Sequence, residues 1–160
     1  MARKPQPTEA QQHIAKRRVA RKLALIGAYQ WIITQNEFQE IYLNFQQDKE
    51  LASDFRKCDA AFFHQILSSV IKNPTPIEEQ ISPHLDRKLT QVDPIESAVL
   101  RIATAELLGN PETPYKVVVN EAVNLTKKFG GDQAHKYING VLDKVATATR
   151  QLEISAPVNK

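Results

Sequence analysis

The segment IESAVLRIATAELL, residues 95–108, carries apolar or small side chains on nearly every side of a helix. A helix of that kind belongs at the centre of a fold, with neighbours on several faces. The four residues Asp93-Pro94-Ile95-Glu96 give it a start. Asp93 caps the free amides, Pro94 suits the first helical position, and Glu96 stands where its carboxylate can reach back to the cap's N–H. Glu96 and Arg101 ride on this apolar helix, and a buried charge needs a partner. Capping accounts for Glu96, and an internal acid, Glu106 or one on another helix, accounts for Arg101. Emergence of both at a protein-binding face is the other reading.

The remaining chain supplies the surrounding helices. Thr8 and Gln11 form a capping box that starts a first helix near Glu9, running to about Thr34. Asn36 is the cap candidate for EFQEIYLNF, whose apolar face is Phe38, Ile41, Tyr42 and Phe45. Gln46 to Lys57 is mixed and charged and reads as a loop or a frayed turn. Phe62, Phe63, Ile66, Leu67 and Val70 mark a helix from about Cys58 to Lys72. In NPTPIEE, Thr75 is the expected cap, Pro76 the first helical residue and Glu78 the third, with the helix ending before Pro83. Thr113-Pro114 opens YKVVVNEAVNLTKKF. The run of three valines at 117–119 favours a strand, but Val118, Ala122, Leu125 and Phe129 keep helical spacing. Gly130-Gly131 stops that helix, and Asp132 is the expected cap of the last one. The expected fold class is all-α, about seven helices in two small packed bundles. One domain spans 8–150, divided into 8–73 and 74–150, with flexible tails at 1–7 and 151–160.

Charge is distributed unevenly. Residues 1–22 hold seven Lys/Arg and one acid, whereas the rest of the chain holds 14 basic and 17 acidic residues. The basicity is local, as a binding patch requires. In AKRRVARKLALIGAYQWII, Val19, Leu23, Ile26 and Ile33 recur on one side of the helix. At 3.6 residues per turn, Arg17, Arg18, Arg21 and Lys22 share one arc of roughly 140° beside that stripe, and Lys16 falls outside it. An anchored helix holding out a row of cations is what a nucleic acid recognises. A solvated basic face is the plainer reading. Tyr29 lies near the angular position of Lys22 but about 10 Å further along the axis, and reads as core packing. Phe129, beside Gly130, is the better candidate for an exposed stacking surface.

Catalytic constellations are missing. His13, His64, His84 and His135 occur singly, and no spacing suggests metal ligation. There is no GxGxxG and no phosphate-loop motif, so no cofactor is expected. The carboxylate pairs Glu78–Glu79 and Asp48–Glu50 sit in polar segments and read as solvated. Asn124-Leu125-Thr126 matches a glycosylation sequon by accident. Cys58 is the sole cysteine, which suits a reducing, cytoplasmic setting. No apolar run is long enough to span a membrane, and MARKPQPTEAQQH has no apolar core of a secretory signal.

Four segments resemble the NusB family of bacterial transcription antitermination proteins: RRVARKLALIGAYQW at 17–31, IESAVLRIATAEL at 95–107, YKVVVNEAVNLTKKFG at 115–130 and HKYINGVLDKV at 135–145. Similar domains also precede the catalytic domain of some RNA cytosine methyltransferases; the expectation here is the free-standing factor. The resemblance implies an all-helical fold of two bundles. It implies a non-enzymatic factor that binds single-stranded boxA RNA together with a small-subunit ribosomal protein (NusE). That pair joins RNA polymerase with NusA and NusG. Position by position, Arg17, Arg18 and Arg21 match the family's arginine-rich RNA-binding motif. Val19 stands where a further arginine is common, with Lys22 as the compensating cation. Phe129, His84 and Gln133 match positions near the RNA, His84 replacing a tyrosine and Gln133 an aspartate. Tyr29 and Glu96 match positions at the ribosomal-protein interface, and Arg101 a supporting arginine.

The shared arc predicts that alanine at Arg17, Arg18 and Arg21 abolishes RNA binding and leaves the fold intact. The rival expectation is an all-helical protein-interaction module whose basic arm binds polyanions without sequence preference.

Overall fold

The computed structural model describes residues 4–155, and among them every regular element is helical. The order is α1 (Glu9–Thr34), α2 (Phe38–Gln47), α3 (Lys49–Arg56), α4 (Ala60–Lys72), α5 (Pro74–Ile81), α6 (Pro94–Gly109), α7 (Tyr115–Phe129), α8 (Ala134–Thr149) and α9 (Gln151–Ser155). Two 3-10 turns, Ser82–His84 and Leu89–Gln91, lie between α5 and α6.

The all-apolar segment is the centre. Every residue of α6 from Ser97 to Leu107 is buried, and the helix packs against α1, α4, α5, α7 and α8. Asp93 caps it, one carboxylate oxygen accepting from the amides of Ile95 and Glu96, but Glu96 does not make the expected return bond to the Asp93 amide. α1 lies across α6 and α4, burying Ala20, Leu23, Ala24, Leu25 and Ala28 into the same apolar cluster that holds Phe63, Leu67, Leu100, Ile138 and Leu142. The Thr8–Gln11 capping box is present in both directions. The valine run is helical, with Val118 and Val119 buried and Val117 exposed, so burial of one face outweighs β-branching.

Several boundaries move. Residues 46–57, read as a loop or a frayed turn, contain α3. Asp48 accepts from the amides of Glu50 and Leu51, and Leu51 and Phe55, one helical turn apart, pack on the core. The cap of α2 is Glu37 rather than Asn36, without a side-chain bond. α5 starts one residue before the expected cap: Asn73 takes that place and Pro74 the first helical position, so both prolines fit the first turn. Asp132 does not cap α8; Gln133 precedes the helix in the left-handed region at φ 65°. Of the expected flexible tails, residues 151–155 are helical, and residues 1–3 and 156–160 lie outside the described residues. α3 and α9 bring the α-helices of the described residues to nine rather than about seven.

The charges buried near α6 are partnered. Arg101 donates to Glu78 of α5 at 2.8 Å and lies over the Trp31 ring at 5.3 Å, so its acid comes from another helix. Glu106 is taken by Arg21. Arg150, at the end of α8, donates to the backbone carbonyls of Leu107, Asn110 and Thr113, each at 2.9 Å, and to Glu153. One guanidinium thereby holds the whole turn between α6 and α7.

Candidate nucleic-acid interface

The basic arc of α1 faces two ways. Arg21 turns inward: it is 7% exposed, and its fork donates to both oxygens of Glu106 at 2.8 and 2.7 Å. Burial works against its charge, but the hydrogen bonds and negative charge of Glu106 outweigh this and hold the guanidinium above its ordinary pKa. Ile66, Ile102, Val118 and Ala122 surround the pair. Arg21 is therefore a core residue, and the expectation that its replacement leaves the fold intact is corrected here.

Arg17, Arg18 and Lys22 reach the surface. Arg17 is half-buried, its guanidinium 4.4 Å from the centroid of Phe62, with one nitrogen donating to Thr113 Oγ1 at 3.3 Å. Its Nε stands 3.6 Å from Asp59, beyond hydrogen-bond length, and has no other partner. Arg18 is the most exposed and donates to Glu121 Oε1 at 2.9 Å. Lys22 donates to Asp54 Oδ2 at 2.7 Å. Each outward cation of the arc thus faces a carboxylate from a different element.

α7 completes the surface. Glu121, Asn124 and Lys128 recur at helical spacing along one side of it, and with Leu125 they form a groove against Arg18, Val19 and Lys22. Val19 occupies the gap in the basic row, and Lys128 of α7 lines the same groove. Lys128 carries no ion pair among the described residues and sits 5.5 Å from the ring centroid of Phe129. Phe129 ends α7 and is 37% exposed. The stop at Gly130 is set by space rather than handedness: its φ is −88°, but a Cβ there would stand 2.8 Å from the Thr126 carbonyl oxygen. Gln133, exposed at the start of α8, follows three residues later.

The other expected site residues lie apart from this groove. His84 lines a shallow depression with Asp143, Lys144, Thr147, Ala148 and Gln151. Tyr29, read from the residues as core, is 38% exposed on α1. Glu96 is half-buried; burial pushes its carboxyl above the usual range, Asp93 adds to the rise, and Arg87 opposes it. Sequence reasoning missed Glu121, Asn124 and Lys128, although their three- and four-residue spacing was the available signal. Among the described residues no group of three His, Cys, Asp or Glu side chains is placed to hold a metal, and no helix is long and apolar enough to cross a membrane.

Comparison with known proteins gives a consistent result. The sequence model of the NusB family matches residues 18–147. The chain is 44% identical over 140 residues to the transcription antitermination protein NusB of Ralstonia pickettii, covering 88% of each. It is 41% identical over 142 residues to the protein of that name from Nitrosomonas europaea, covering 89% of this chain and 83% of the relative. The solved structure of T. maritima NusB is 24% identical, covers 81% of this chain and 89% of its own, and superposes with a TM-score of 0.67, a likeness of fold.

Proposed function

The chain belongs to the NusB family, and from that premise we propose that it is a non-enzymatic RNA-binding antitermination factor. Its ligand is single-stranded boxA RNA, and its partners are a small-subunit ribosomal protein (NusE) and the RNA polymerase complex with NusA and NusG. The observation that carries the reading is the groove between α1 and α7, with Arg18 and Lys22 on one wall and Lys128 on the other, the Lys128 ammonium lying 5.5 Å from the ring of Phe129. Cations spaced along a groove track a phosphate backbone, and an exposed aromatic ring accepts a base. Arg17 extends the row, and Arg21 supports it from the core. Gln133 and His84 are secondary contacts, Gln133 at the Phe129 end. Tyr29 and Glu96, away from the groove, are the proposed contacts for the ribosomal protein.

The chemistry is electrostatic and therefore weak for one protein alone. Four phosphate contacts, from Arg17, Arg18, Lys22 and Lys128, correspond to a slope of about −3 in log affinity against log salt on a single strand. A second RNA-binding protein docked alongside raises the effective concentration of the same strand and so the selectivity of the pair. The pairing of Arg17, Arg18 and Lys22 with carboxylates favours a second reading, a protein-interaction module whose basic arm binds any polyanion.

Fluorescence anisotropy separates the two. Labelled boxA RNA and a scrambled strand of equal length are titrated with the protein, with and without the ribosomal protein. Preference for boxA that increases when the ribosomal protein is added is the expected result. Equal, salt-sensitive binding of both strands under both conditions supports the interaction module instead.

A further inference from the structure

The carboxylates opposite the basic row have a role of their own. Glu121 is anchored, with its side chain 13% exposed, whereas its partner Arg18 is 62% exposed. Asp54 on α3 and Lys22 are matched in exposure, at 26% and 30%. Among the described residues, neither carboxylate makes a hydrogen bond to anything except its cation. Asp59 differs, because it also caps α4 by accepting from the Phe62 amide. Glu121 and Asp54 therefore satisfy no helix end, and their cations line the groove with Lys128.

We infer that Glu121 and Asp54 are built-in competitors for RNA phosphate, which hold the intrinsic affinity of the groove down. This rests on the RNA reading above and adds a control to it. A phosphate that takes Arg18 or Lys22 has to share a cation whose charge a carboxylate already offsets, and has to lie close to that carboxylate. An ion pair that solvent still reaches on one side corresponds to about a two- to fivefold change in binding constant. A strand that offers charge alone gains little from such an exchange. A strand that adds base contacts, or one held by a second protein, overcomes it. The acids come from α3 and α7, so each sits at a fixed distance from α1 rather than trailing on a loop.

The test uses the full-length protein, the boxA and scrambled RNAs, and three variants that each remove one negative charge. Glu121→Gln and Asp54→Asn keep the shape of the side chain. Glu79→Gln, at an exposed position of α5, is the control for net charge. Glu121→Gln and Asp54→Asn are expected to bind both RNAs about two- to fivefold more tightly at low salt, with unchanged melting temperature. The advantage shrinks as salt screens the exposed charges, and Glu79→Gln stays at the wild-type value. Unchanged or weaker binding by Glu121→Gln and Asp54→Asn, with wild-type binding intact, overturns the inference and makes the acids positioning groups. An equal gain in Glu79→Gln also overturns it, in favour of general charge. Absence of RNA binding in the wild-type protein removes the RNA reading, and this inference with it.

Discussion

Alanine at Arg21 is expected to lower stability by about 3–5 kcal/mol, the cost of removing one member of a buried ion pair. Glu106 would remain 2% exposed with its charge unanswered, in a setting lined by Ile66, Ile102 and Val118. Set against a total of roughly 5–15 kcal/mol for a folded domain, that loss is severe. For a chain of this length it corresponds to a fall of roughly 6–20 °C in melting temperature. Replacing both partners, as Arg21→Met with Glu106→Leu, is expected to restore most of the loss, because no stranded charge is left. Thermal and urea unfolding followed by circular dichroism check both variants. A loss below about 1 kcal/mol in Arg21→Ala, the range of an exposed pair, would show that water reaches Glu106 and that the pair is not part of the core.

Arg150→Ala is expected to cost about 3–4 kcal/mol, since bonds from a charged donor contribute roughly 1.5–3 kcal/mol each and opened carbonyls recover part of this from water. The guanidinium is 6% exposed in the structure and satisfies three backbone carbonyls that no helix can satisfy, those of Leu107, Asn110 and Thr113. It also pairs with Glu153, whose other oxygen accepts from the Tyr115 amide at the start of α7. The turn it holds carries Thr113, the hydrogen-bond partner of Arg17. Loss of Arg150 therefore loosens both the α6–α7 connection and the near end of the basic row. Arg150→Lys, with one point charge in place of a fork, is expected to fall between wild type and alanine. A change below about 1 kcal/mol by urea unfolding would mean that the turn is held by other contacts.

The fold was legible where local chemistry and burial agree. Asp93-Pro94, the Thr8–Gln11 box and the all-apolar segment of α6 each specify their own structure, and each is found as expected. α3 was not legible, because its only apolar anchors are Leu51 and Phe55 in a charged segment, and Asp48 becomes a recognisable cap only once that helix is packed. In NPTPIEE both prolines are compatible with a helix start, and local sequence does not choose between the two registers.

The site was legible as a charge pattern and not as a set of accessible groups. Angular position on α1 placed Arg21 with Arg17, Arg18 and Lys22, but what an arc faces depends on the neighbouring helix. α6 brings Glu106 to Arg21, whereas α7 and α3 bring Glu121 and Asp54 to its neighbours. Net charge near the chain start likewise overstated the field, since the acids that offset it come from residues far along the sequence. Lys128 entered only through the fold, which brings α7 to the far side of the groove from α1.

The most direct measurement is the affinity of Arg18→Ala with Lys22→Ala for boxA RNA, by anisotropy at several salt concentrations, beside the wild-type protein. Both side chains reach the surface and neither belongs to the buried pair, so the melting temperature is expected to stay near wild type. Affinity is expected to fall on the order of 30-fold at low salt, as two charge-assisted contacts are lost. The slope of log affinity against log salt becomes shallower by about 1.4, the share of two phosphates on a single strand. A folded double variant that binds boxA RNA with wild-type affinity and an unchanged slope would show that the groove between α1 and α7 is not where the RNA lies.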